Sequence, residues 1–272
     1  MENNLLGRVI ALLRQADPDR KAEHTRQLAH DWQSDKLALP LAQSTFTPPD
    51  QPGRPDTLEQ VTPGAVPKRR IGTPEGRVAL LHAIAHIELN AIDLALDMLA
   101  RFTFDPILSD TERLDFATDW LNIAGEEAKH FALINNRLHE LDSAYGDLPV
   151  HQGLWEAASK TRHDLAARLA IAPMLLEARG LDVTPSMIEK LIGAGDTQSA
   201  QVLNIIYEEE IGHVAKGVHW FKSVCAARHE EPQSLFRTLV QEHFPAGLRA
   251  PFNHSAREMA GLTREYYQTP LA

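Results

Sequence analysis

The chain has 272 residues, with 27 Lys and Arg against 37 Asp and Glu and a formal net charge of −10. This length can bury a core without covalent staples, and a single cysteine, Cys225, excludes an intrachain disulfide. The acidic balance, with a pI near 5.7, gives no overall positive field, so nucleic acid is not an expected partner.

The first residues, Met1-Glu2-Asn3-Asn4, lack the basic start and apolar run of a signal peptide. No uninterrupted apolar run approaches the ~18 residues of a membrane span. The expected location is cytoplasmic. Leu5 to Leu13 predicts a short amphipathic helix with Leu5, Val9, Ile10 and Leu13 on one stripe. Asp17-Pro18 breaks it, and Asp19 to Leu37 predicts a second, polar helix anchored by Leu28, Trp32 and Leu37. From Pro40 to Pro67, seven prolines exclude a long helix. We read this stretch as an extended arm lying on the rest of the protein, because Phe46, Leu58 and Val61 give it something to bury. The basic cluster Lys68-Arg69-Arg70 that follows reads as a solvated turn or a partner for the protein's own acids.

Thr73-Pro74-Glu75 is a helix start, with a capping hydroxyl, proline at the first helical position and an acid in the first turn. The helix runs to about Phe102. Glu88 sits inside its apolar stripe, between Ile84 and Ile92, where a carboxylate must be neutralised, paired or bound to a cation. Ser109-Asp110-Thr111-Glu112 caps a second long helix to about Ala144, with Trp120, Ile123, Glu127, His130 and Ile134 along one face. A third is expected from Gln152 to Arg179, kinked by Pro173 and stopped by Gly180, and it carries Glu177. A short connecting helix, Pro185 to Ile192, precedes a fourth long helix, Thr197 to Arg228, capped by Asp196 and bearing Glu210 and His213. A short helix at about Gln233–His243 and a final segment from about Ser255 to Tyr267 close the chain. The expected organisation is an arm over 1–72, a helical bundle over 73–230 and a C-terminal extension over 231–272, together one structural unit.

Glu-x-x-His therefore occurs twice, as Glu127 with His130 and Glu210 with His213. Residues three apart share a helix face, so each pair can offer an oxygen and a nitrogen to one point. Each pair is preceded by a helix with a lone glutamate, Glu88 or Glu177. Any one of these groups alone reads more simply as a solvated face or a satisfied buried acid. Together, in matching order on four long helices, they predict a four-helix bundle holding two metal ions on Glu88, Glu127, His130, Glu177, Glu210 and His213, with four carboxylates offsetting four positive charges. A Glu from each of two helices and Glu-x-x-His from each of the other two is the ligand pattern of ferritin-like di-iron and di-manganese proteins. Oxygen and nitrogen donors without thiolate favour two Fe ions, with Mn or mixed Fe/Mn as the alternative. Glu126, Glu208 and Glu209 read as acids that support the ligands from behind or as surface acids. Tyr207, one turn before Glu210, either packs in the core with its hydroxyl paired or lines the site as a catalytic hydrogen-bond donor. His82 and His86 point away from the Glu88 face and read as exterior histidines packed by the N-terminal arm. Trp120, Trp220 and Cys225 read as core residues.

The stretch Gly76-Arg77-Val78-Ala79-Leu80-Leu81-His82-Ala83-Ile84-Ala85-His86-Ile87-Glu88-Leu89-Asn90-Ala91-Ile92-Asp93-Leu94 resembles the hallmark of a widespread bacterial family of ferritin-like proteins of undefined function. Pro52-Gly53-Arg54-Pro55, Val66-Pro67-Lys68-Arg69-Arg70, Gly125 to Phe131 and Glu208 to Val214 resemble the same pattern. The resemblance implies a ferritin-like bundle with the same six metal ligands, and no substrate. By analogy of fold, the expected function is an oxidoreductase that activates O2 at a di-iron centre, a hydroxylase or oxygenase acting on a small molecule or a modified nucleoside with an external electron donor. The alternative readings are peroxide or superoxide scavenging and iron storage.

Overall fold

The computed structural model describes residues 4–40, 47–67, 70–245 and 247–268. Phe46, Lys68 and Arg69, and the first three residues, lie outside the described residues. The protein is all-α: among the described residues the β contacts are isolated bridges, Asn4 with Ala38 and Gln60 with Val150. The chain divides into two compact units, Met1–Trp155 and Glu156–Ala272, where the sequence led us to expect an arm, a bundle and a tail.

In the first unit, α1 spans Leu5–Arg14 and α2 spans Pro18–Gln33. Asp17-Pro18 is not only a break. Asp17 accepts a hydrogen bond from the Arg20 amide and Pro18 occupies the first turn, so α2 starts one residue earlier than expected, and it ends at Gln33 rather than Leu37. Helix α3, Pro74–Phe102, and helix α4, Asp110–Glu140, are the long pair of this unit. Thr73 caps α3, and Ser109 with Glu112 forms a reciprocal capping box on α4. Helix α1 packs on α3 and α2 packs on α4.

The proline-rich arm lies on this unit. The Gly53 amide donates to the Leu13 carbonyl at 2.7 Å, and a Cβ at Gly53 would stand 2.3 Å from the Arg14 carbonyl oxygen, so the approach requires glycine. Leu58 is buried, and around the bridge at Gln60 the Val61 amide donates to the Val150 carbonyl at 2.8 Å while the Val150 amide donates to the Glu59 carbonyl at 2.9 Å. Behind the arm, Asp93 of α3 meets two cations: Lys21 Nζ at 2.6 Å and the Arg54 guanidinium. Burial pulls the Lys21 pKa down, against the pull of Asp93. Helix α3 is buried at every position from Glu88 to Ala100. It has the length and mean hydropathy, 1.4, of a membrane span, but 83% of that window is buried within the protein. Its apolar surface is thus spent on packing.

In the second unit the expected third helix proves to be several pieces. Helix α5, Gly153–Lys160, straddles the unit boundary and ends in a turn. Helix α6 covers Leu165–Ile171, a π-helical segment covers Ala172–Glu177, and α7 continues over Ala178–Gly193. The break after α5 is built by Arg168, 1% exposed, which donates to the Ala158 carbonyl and the Thr161 hydroxyl while Asp164 caps α6. Pro173 is absorbed by π-helical winding rather than a kink. Gly180 does not end the helix, and the expected helix at Pro185 is the second half of α7. Pro185 removes one amide donor, which would orphan the Leu181 carbonyl; Asn253 Nδ2 fills that gap at 3.1 Å. Helix α8, Thr197–Arg228, packs on α7, on the π segment and on α6. Gly217 of α8 lies against Pro173, where a Cβ would sit 2.5 Å from the proline ring. Helices α9, Pro232–His243, α10, His254–Met259, and α11, Arg264–Tyr267, complete the unit. The final segment of the sequence holds the last two of these, parted by a turn at Gly261, whose φ is +74°. Trp220 and Cys225 are buried here, as Trp120 is in the first unit.

Candidate metal centre

In the first unit α3 and α4 bring Glu88, Glu127 and His130 together. The spacing of Glu127 and His130 puts both on the face α4 turns to α3, and Glu88 comes from the middle of the apolar stripe of α3. His130 Nδ1 lies 3.3 Å from Glu88 Oε2 and 3.4 Å from Glu127 Oε2. One ligand atom from each of the three residues lies within 4.8 Å of the others. Glu88 is 3% exposed, and Glu127 and His130 are fully enclosed. Burial disfavours a charged imidazole, but hydrogen bonds donated by His130 to Glu127 and Glu88 and their negative charge outweigh it and raise the His130 pKa to about 11. Two buried carboxylates demand a positive charge, which a proton on His130 or a cation can supply. The cluster could hold a metal ion, and its O, O, N donor set suits a divalent first-row metal.

In the second unit, α8 presents Glu210 and His213 with His213 Nδ1 3.5 Å from Glu210 Oε2, at 9% and 1% exposure. Glu177 stands half-buried at the last position of the π segment. Tyr207 is half-buried, and its hydroxyl accepts a hydrogen bond from Asn253 Nδ2 at 2.9 Å, so the tail holds it. Glu126 and Glu208 are exposed and Glu209 is half-buried.

His82 and His86 are not exterior residues. They are 2% and 6% exposed, and the partner that buries them is the loop after α4 rather than the arm alone. His82 Nε2 accepts from the Gly146 and Leu148 amides at 2.9 and 3.3 Å. His86 lies 2.8 Å from the Tyr145 hydroxyl and 3.0 Å from the His151 carbonyl, and both rings stack on Tyr145. Burial lowers both histidines to about 4, so both are neutral. The sequence reading also missed the Lys21–Asp93–Arg54 group and the buried pair of Asp182 with Arg257. The signal for the first was present: Asn90 and Asp93 interrupt the same apolar helix as Glu88, and a charge on a helix buried all round needs a partner.

The chain matches the model of a family described as "Protein of unknown function (DUF455)" over residues 14–268. It is 43% identical over 204 residues to an uncharacterized protein of Haemophilus influenzae, an alignment covering 75% of this chain and 71% of that relative. No solved structure matches it. A match running from the end of α1 to the last helix includes all six candidate ligands, and the chain belongs to the DUF455 family.

Proposed function

We propose that this protein is a ferritin-like di-metal carboxylate oxidoreductase, with two iron ions held by Glu88, Glu127, His130, Glu177, Glu210 and His213. The observation that carries the reading is the convergence of two fully buried carboxylates on His130, in a sequence that repeats the same Glu and Glu-x-x-His order in its second half. The residues present suit the ions: hard oxygen donors, two imidazoles, and no thiolate among the six. Bound iron would supply electrons for reductive activation of O2, with an external donor restoring them.

The chain's own contribution is charge balance, exclusion of water and fixed ligand positions. Four carboxylates neutralise two divalent ions, and both histidines bind as neutral rings, so His130 must give up the proton that its glutamates favour. Ile84 and Ile92, one turn either side of Glu88, and Trp120, Ile123 and Ile134, on the same helix as Glu127 and His130, are all buried, which favours exclusion of bulk water from the first half-site. Hydroxylation or oxidation of a small molecule, including a modified nucleoside, suits such a protected site. Anaerobic Fe(II) loading followed by O2, read by absorbance and Mössbauer spectroscopy, tests this. The expected result is two coupled irons per chain, reduced in number in Glu127→Ala and in His213→Ala. Two irons retained in both variants would overturn the ligand assignment.

A further inference from the structure

The π segment that ends in Glu177 also forms a wall of a cleft within the second unit. The cleft has a volume of about 330 Å³, at the lower end of the range of small-molecule sites. Leu175, Leu176, Phe244 and Phe252 make its apolar side. Its polar side is Arg179, Arg249, Arg257 and Asp182, three guanidiniums against one carboxylate, in a chain whose overall charge is strongly negative.

Asp182 cannot balance that charge. Its Oδ1 accepts from Arg257 Nε at 2.8 Å and from the Asn253 amide at 2.9 Å; its Oδ2 accepts from Arg257 Nη2 at 2.7 Å and lies 3.4 Å from Arg179 Nη1. Arg257 is fully buried, lies under the faces of Phe252 and Tyr267 at 5.1 and 4.7 Å, and among the described residues its Nη1 has no hydrogen-bond partner. A buried donor on a cation is costly to leave without an acceptor. Arg249 stands exposed at the rim. A guanidinium donor set beside an aromatic and aliphatic wall selects a ligand with an anionic head and an apolar body.

We propose that this cleft binds an anionic molecule with an apolar body, its carboxylate or phosphate held by the three arginines. Leu175 and Leu176 immediately precede Glu177, and Arg179 follows it by two positions, so the cleft is placed to be the substrate site of the proposed metal centre. That second step rests on the di-metal reading; the binding site itself does not.

Calorimetry on the full chain freed of metal, with octanoate and octyl phosphate as probes and octanol as the uncharged control, tests the site. One of the two anions is expected to bind at one site per chain, roughly tenfold or more tighter than octanol, and which of them binds more tightly identifies the head group. Arg249→Gln, at an exposed position, should weaken it several-fold and Arg179→Gln by roughly tenfold. Octanol binding as tightly as both anions, no anion binding, or affinity unchanged in both variants would overturn the proposal. Loading with Co(II) then tests the substrate role: the probe should shift the visible absorption bands of the bound ion. Bands that do not move on saturation would overturn that role alone. A chain that takes up no Co(II) would count against the metal reading, while the calorimetry still decides the cleft.

Discussion

The two Glu-x-x-His pairs share a grammar and differ in setting. On α4, Glu127 and His130 are fully enclosed and a second carboxylate from α3 shares the same imidazole. On α8, Glu210 keeps 12% side-chain exposure, and the glutamate that precedes this pair in sequence order, Glu177, sits half-buried on a π-wound segment beside a cleft. The first is built to hold charge rigidly in a dry environment; the second combines looser helical winding with access to solvent. π-Helical turns recur at functional sites because the extra residue re-aims side chains without ending the helix. A duplicated motif therefore need not mean duplicated roles: one half can fix the ion and the other admit what reacts.

Several substitutions would break or sharpen this contrast. The largest effect is expected for His130→Leu in metal-free protein, which leaves Glu88 and Glu127 without the imidazolium they share. We expect a loss of about 3–5 kcal/mol at neutral pH, against about 1–2 kcal/mol for His213→Leu, measured by urea denaturation with chelator present. The His130→Leu deficit should shrink as pH falls, when protonation of one carboxylate relieves the repulsion. Equal losses for both variants would show that the two settings do not differ.

A further effect lies on the other side of α3. Because His82 is held neutral at about 4 when folded and takes a proton near 6.5 when unfolded, the unfolded chain binds more protons between those values. Stability should be unaffected by His82 above about pH 6.5 and fall as pH drops from there toward 4, by up to about 3 kcal/mol. Protonation would convert the Nε2 acceptor into a donor facing the Gly146 and Leu148 amides. In a His82→Gln variant the acid slope between pH 6.5 and 4 should flatten; an unchanged slope would assign the acid lability elsewhere. The smallest effect is expected for Gly217→Ala, where the new Cβ meets Pro173 at 2.5 Å. Overpacking should cost about 1–3 kcal/mol, and because it presses on the segment that carries Glu177, metal uptake should weaken as well. Gly125→Ala, with only the Ala29 side chain at 3.0 Å, is the milder control in the first unit.

Much of the helical framework was legible in local chemistry. Thr73-Pro74, Ser109 with Glu112, and Asp196 each act as the caps their side chains suggest, because an N-cap is decided within four residues. The buried glutamates were legible as well, since a charge in an apolar stripe declares a need. What failed were positions where a distant residue supplies what the local chain lacks. Gly180 and Pro185 are helix breakers by propensity, yet α7 passes through both, because Leu181 and Asp182 are anchored from the tail. The end of α5 was hidden for the same reason: it depends on the side chain of Arg168, ten residues along from Ala158. His82 and His86 pointed the right way, away from Glu88, but the loop that covers them could not be seen from their own helix.

The hydrogen bond from Asn253 to the Leu181 carbonyl has a consequence for the order of synthesis. Leu181 and Asp182 are translated 72 and 75 residues before Asn253 and Arg257, the groups that complete them. Until those residues leave the ribosome, α7 carries an open carbonyl beside its proline and a lone carboxylate, and both remain solvated. The second unit is therefore completed late in synthesis, whereas the first ends at Trp155. A nascent chain stalled before residue 253 should present a protease-resistant first unit and a cleavable α7, so the half proposed to admit substrate is also the last to be finished.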